Sequence, residues 1–143
     1  MIKRMVLFGI CFVLLVGFFG NYSAVAVTSR EEHDVELLWE SAASITLGMS
    51  FSNGTITSTG TVTGKSGTTA ISAIFVLARR NANGTFTEVD RWTAKNGNVA
   101  WLLTTSRTTR NQPAGTYRLS VTASVTRNGK VETVPGNHTM TFR

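Results

Sequence analysis

Cysteine is almost missing from this chain of 143 residues. The single one, Cys11, sits inside an N-terminal apolar run and follows Ile10, where a bacterial lipoprotein signal would want a small residue. That excludes an internal disulfide and argues against a lipid anchor. Histidine is nearly as scarce, and His33 and His138 lack the spaced histidine or cysteine partners of a metal site. Neither a Gly-x-Ser-x-Gly elbow nor a Walker-type phosphate loop occurs. Carboxylates are rare beyond residue 40, where only Glu88, Asp90 and Glu132 remain. Glu88 and Asp90 are two apart on one expected strand, so they should share a face. With Arg79, Arg80 and Arg91 nearby, that pair reads as cross-strand ion pairing and not as an acid–base couple. The expectation is a chain without catalytic residues, metal or cofactor.

Long helical patterns are also missing. Helical spacing appears only in "EEHDVELLWESAA", through Val35, Leu38, Trp39 and Ala42. Ahead of it, Lys3 and Arg4 precede an apolar run from Met5 to Gly20, followed by small residues at Ala24 and Ala26. This three-part layout predicts a signal peptide over residues 1–26 with cleavage after Ala26, and therefore a secreted or cell-surface protein. The apolar run is shorter than the roughly 20 residues that span a bilayer, which disfavours the rival reading of a retained anchor. Residues 27–43 form an acidic leader, a short helix or a tether: Val27 to Glu40 holds one base against five acids. From Ser41 to Arg143 the balance reverses, with eleven bases against three acids.

What the sequence has in quantity is alternation. In "SITLGMSFS", Ile45, Leu47, Met49 and Phe51 share one face, and after Asn53-Gly54 the facing set is Ile56, Ser58, Gly60 and Val62. A two-residue type I′ turn at Asn53-Gly54 would set Phe51 across from Ile56 and Ile45 across from Val62. "AISAIFVLARR", Ala70 to Arg80, is apolar on both faces and reads as a central strand. "TFTEVDRWTA" reads as its more exposed partner, with a bulge or open edge because Phe86, Val89 and Trp92 break the period of two. "VAWLLTTS", Val99 to Ser106, reads as a buried strand with Trp101 in the core. Tyr117, Leu119, Val121, Ala123 and Val125 then alternate without a fault. After them a three-residue loop of Arg127, Asn128 and Gly129 would keep Val125 against Val131. Pro135-Gly136 should bend or interrupt the last strand, which resumes with His138, Met140 and Phe142 on one face. The four Asn-Gly pairs, at 53, 83, 96 and 128, read as hairpin corners supplying positive φ, with no helix start beside them to make a phosphate cradle.

Seven short strands with turn signals between them predict an all-β, antiparallel two-sheet sandwich of immunoglobulin or fibronectin type III style over residues 44–143. Gly115-Thr116-Tyr117 resembles a tyrosine corner. With the signal peptide, "GTVTGKSGTTAISAIFVLARR", "TFTEVDRWTA" and "GTYRLSVTASVTRNGKVET" resemble a family of small exported Ig-like proteins of Gram-positive bacteria. The resemblance spans Ser44 to about Val134, implies the fold, and carries no catalytic residue.

Charge is distributed unevenly over the expected strands. Ser44 to Gly64 and Val99 to Ser106 contain no ionisable side chain, whereas Arg79, Arg80, Arg91, Arg118, Arg127 and Lys130 belong to the other sheet. Two binding readings follow. The basic sheet, with Phe86 and Trp92 as surface aromatics, would dock on an anionic cell-envelope polymer or glycan. Alternatively, the uncharged first strand would accept another strand and make a homo-oligomer. Nucleic acid is not expected as a partner, because export removes the chain from it and no recognition motif accompanies the charge.

Overall fold

A computed structural model describes residues 39–143. The signal peptide and most of the acidic leader, including the helical spacing of Val35 and Leu38, lie outside the described residues. Within them are seven strands: β1 (Ala42–Ser52), β2 (Thr55–Gly64), β3 (Thr68–Arg80), β4 (Phe86–Lys95), β5 (Leu102–Thr109), β6 (Gly115–Arg127) and β7 (Lys130–Phe142). They form a three-stranded sheet ordered β1-β2-β5 and a four-stranded sheet ordered β4-β3-β6-β7, every pair antiparallel. This is the expected two-sheet Ig-like sandwich; β1 and β2 of the smaller sheet carry no charge, but β5 extends to Thr109 and brings Arg107 into that sheet, so the sheet is not wholly neutral.

The core follows from the alternation. Ile71, Ala73, Phe75 and Leu77 of β3 and Tyr117, Leu119, Val121, Ala123 and Val125 of β6 face Ile56, Val62 and Leu103 of the smaller sheet, and all are buried. Asn53 and Gly54 both have positive φ, 48° and 69°, so the β1–β2 corner is the type I′ turn, with Phe51 opposite Ile56 and Ile45 opposite Val62. β3 is central, flanked by β4 and β6. The Tyr117 hydroxyl donates to the Pro113 carbonyl at 2.7 Å, four residues upstream, which makes the tyrosine corner. Burial pushes that phenol's pKa up, partly offset by the Arg79 charge.

Several expectations are corrected. Asn128 and Gly129 both have positive φ, 50° and 76°, and Arg127 pairs Lys130, so the last hairpin has a two-residue turn. Val125 therefore faces Glu132, and Val131 is turned out, 66% exposed. Pro135 and Gly136 do not interrupt β7, which runs unbroken because it is an edge strand whose outer side needs no donor. Not every Asn-Gly is a left-handed corner. Only the glycine has positive φ at Asn83-Gly84, and neither residue does at Asn96-Gly97, where the chain crosses from one sheet to the other. There Asn96 instead accepts from the Ile71 amide through Oδ1 at 2.7 Å. Trp101 lies in that crossover and is 52% exposed, so β5 starts only at Leu102 and buries Leu103 alone.

Candidate binding surface

The six predicted basic residues do not make one patch. Arg80 and Arg118 lie on the outer face of the larger sheet near the end formed by the β1–β2, β3–β4 and β5–β6 connections. Arg118 stands opposite Ala78, whose small side chain leaves room for the guanidinium to lean toward β4. Its Cζ sits 4.0 Å from the centroid of Phe86, the residue paired with Arg80. The Nε of Arg118 is shielded from solvent and has no hydrogen-bond partner among the described residues. Arg79 belongs to the inner face at the same end, beside Gly115, where its Nη2 donates to the Ala114 carbonyl at 3.5 Å.

Arg127 and Lys130 are at the opposite end, nine residues or more along β6 and so about 30 Å away. Arg127 is committed to structure: its Nε donates to Ser66 O at 2.7 Å and its Nη1 to Glu40 O at 3.1 Å. Lys130 is exposed at the hairpin tip. Arg91 lies between the two ends and is held by Glu88 through bonds of 3.0 and 2.7 Å. That pairing, above all the hydrogen bond, lowers the Glu88 pKa.

Glu88 and Asp90 do not share a face. A bulge shifts the β3–β4 register between Leu77 and Ala78, so Glu88 opposes outward Ala78 while Asp90 opposes inward Leu77. Asp90 reaches the other sheet, accepting from Arg107 at 3.0 Å and from the Thr109 hydroxyl at 2.8 Å. Burial raises its pKa, but these donors and the Arg91 amide outweigh it, leaving the carboxyl below its ordinary value. The pair is thus two separate braces. Trp92 also turns inward: its ring stacks on Phe75 with centroids 5.3 Å apart and planes 8° apart, so it is no surface platform. Of the two proposed aromatics only Phe86 borders the arginines.

Strand pairing adds two arginines that the strand-by-strand reading left out. Arg110 lies in the β5–β6 connection and Arg143 follows β7, both exposed and both at the end that holds Arg79, Arg80 and Arg118. The Gln112 amide bonds to Gly54 O at 2.8 Å and Phe51 stacks on Phe142 at 5.4 Å, which binds the two sheets together there. Glu88 and Asp90, the nearest carboxylates along the strands, are both already paired with arginines. Among the described residues this end therefore carries five arginines, none of them paired with a carboxylate. Loop arginines have no periodic signal, which is why spacing alone does not reveal them.

At the other end, charged residues hold the start of β1. Glu132 accepts from the amides of Glu40 at 2.9 Å and Ser41 at 2.6 Å, and Lys65 donates to the Trp39 carbonyl. Burial raises the Glu132 pKa, yet the bonds from Glu40, Ser41 and Ala42 prevail and lower it. Among the described residues no group of three or more His, Cys, Asp or Glu is placed to hold a metal ion. His138 stands alone opposite Leu119 on β7. No family model matches the sequence, and a search of curated proteins finds no match.

Proposed function

We propose that this is an exported, non-catalytic binding module that docks through its arginine end on an anionic polymer or glycan of the cell envelope. The observation that carries the reading is the gathering of Arg79, Arg80, Arg110, Arg118 and Arg143 at one end, where the neighbouring carboxylates among the described residues, Glu88 and Asp90, are neutralised by other arginines. Guanidinium groups suit the task, because they pair with phosphate or carboxylate bidentately and hold less tightly to water than ammonium groups do. Phe86 holds the Arg118 guanidinium in place before any ligand arrives. This surface replaces the whole basic sheet, since Arg91 and Arg127 are engaged within the fold.

Retention of the purified protein on isolated bacterial walls, followed as salt is raised, tests the idea. Screening shortens from about 30 Å at 0.01 M to about 3 Å at 1 M, so retention should fall by roughly tenfold or more across that range. Arg80→Glu with Arg110→Glu should abolish it, and Lys130→Glu at the far end should leave it unchanged. Salt-independent retention, or equal losses from both ends, would rule the reading out.

A further inference from the structure

The sandwich has four edge strands, and three of them carry devices that block pairing with another chain. β4 has Glu88, Asp90, Arg91 and Lys95 together with a bulge; β7 has Lys130, Glu132 and Pro135; β5 has Arg107, tied across to Asp90. Charge, proline and bulges are the usual protections of an exposed edge. β1 has no charge and no proline over its 11 residues, and its one register irregularity is confined to Ala42/Ser44. From Ser44 to Ser52 it offers a regular, unguarded edge.

The direction of its free backbone groups follows from the hairpin. A two-residue turn makes Ser52 and Thr55 a mutually bonded pair, so the even-numbered residues of β1 bond to β2. The continuation of β2 agrees with this phase, because Gly64 donates toward β5 at Trp101 O and Lys65 toward β1 at Ser41 O. Ile45, Leu47, Met49 and Phe51 therefore aim their N–H and C=O groups away from β2. No strand among the described residues receives them. Their side chains point inward along the same open flank, where Ile45, Leu47 and Phe51 are only half-buried, beside half-buried Met140 and Phe142 of β7.

We infer that a second copy of this chain pairs with β1, antiparallel and two-fold symmetric about Gly48, joining the two small sheets into one of six strands. That register matches like with like. Ile45 meets the partner's Phe51 and Leu47 the partner's Met49 on the inner face, while Thr46 meets the partner's Ser50 on the outer face. It also joins outward-pointing backbone groups to outward-pointing groups, for about eight hydrogen bonds. The inference does not rest on the arginine end, which lies in different residues, so either can fail alone.

The register makes the test specific. Thr46 and Ser50 are exposed, so lysines at both leave the monomer's packing intact. In the dimer, however, they set lysine directly against lysine at two close, non-bonded positions. The full chain, purified with its N-terminal region as the host leaves it, should sediment at about 100 μM with twice the mass of one copy, enough protein to populate even a weak complex. T46K/S50K should sediment as one copy with an unchanged melting curve. T46E/S50K, which opposes glutamate to lysine in this register alone, should regain the doubled mass. A parent chain that stays at the mass of one copy, a T46K/S50K chain that stays dimeric, or a T46E/S50K chain that stays monomeric each overturns the inference.

Discussion

Gly60 of β2 faces the ring of Phe75 on β3 across the sandwich. A Cβ added there would lie 2.3 Å from Cε1 and 2.9 Å from Cζ of Phe75, far inside contact distance. The ring cannot back away, because Trp92 stacks on it at 5.3 Å and Phe75 itself is fully buried. Gly60→Ala must therefore push the sheets apart locally or drive Phe75 off its rotamer, and overpacking of this kind costs about 1–3 kcal/mol. For a domain of this size each kilocalorie lowers Tm by roughly 4–8 °C. Phe75→Leu alone leaves a cavity and costs a similar amount, about 1–3 kcal/mol.

The double variant separates this explanation from a generic glycine effect. Leucine lacks the ring edge that occupies the methyl's place, so G60A/F75L should cost less than the two single changes together by about 0.5–3 kcal/mol. Urea unfolding followed by tryptophan fluorescence measures all four proteins, and an unchanged m-value keeps the comparison on stability alone. A Gly60→Ala protein within about 0.5 kcal/mol of the parent, or strictly additive costs, refutes the close approach of β2 to Phe75.

Two further outcomes follow from the same packing. Tyr117→Phe removes the bond to Pro113 O and nothing else, and because Pro113 is exposed its carbonyl can turn to water, so unfolding should lose only about 0.5–1.5 kcal/mol. A loss near zero would deny the corner a stabilising role. Glu132 has a folded pKa below its ordinary value of 4.5, so the stability it adds is complete above that value and disappears as pH falls through the lower, folded pKa. Glu132→Gln should thus flatten the acid limb of the stability profile below about pH 4.5 relative to the parent, and chemical denaturation from pH 7 to pH 2.5 would reveal an unaltered limb if the clamp is inert.

The sandwich and the β1–β2 register are legible in the sequence because both rest on local rules. Alternation decides which side chains turn inward, and Asn53-Gly54 decides the turn. The failures share a cause, which is long-range demand. Preferring Val131 over Glu132 as the partner of Val125 is sound within the hairpin alone. It is overruled because the amides of Glu40 and Ser41, about ninety residues away, need an acceptor that Glu132 supplies. Arg127 and Lys65 are likewise assigned to remote carbonyls that no spacing reveals. Trp101 reads as core because five apolar residues run together, yet the chain is crossing between sheets there and cannot bury them all. A single bulge beside Leu77 inverts the relation of Glu88 to Asp90. The arginine end is the plainest case, since it is assembled by topology from two strands, one loop and the residue after β7.

The two proposals constrain each other's consequences. Two-fold pairing of β1 about Gly48 runs the two sandwiches in opposite directions, so their arginine ends face away from one another. The arginine end lies level with the β1–β2 corner at Asn53-Gly54, about five residues or roughly 17 Å of strand from Gly48, so the two ends of the dimer stand roughly 34 Å apart along the strands. Such an arrangement gains little from simultaneous grip on one short segment, because the second end is too far from the first to sense the same few charges through screened solvent. It is suited instead to bridging separate anionic strands, one at each end. Pairing through the larger sheet could not produce this bridge, because β4 and β7 carry the charges, bulge and proline that refuse another strand, whereas among the described strands β1 is the edge left without them.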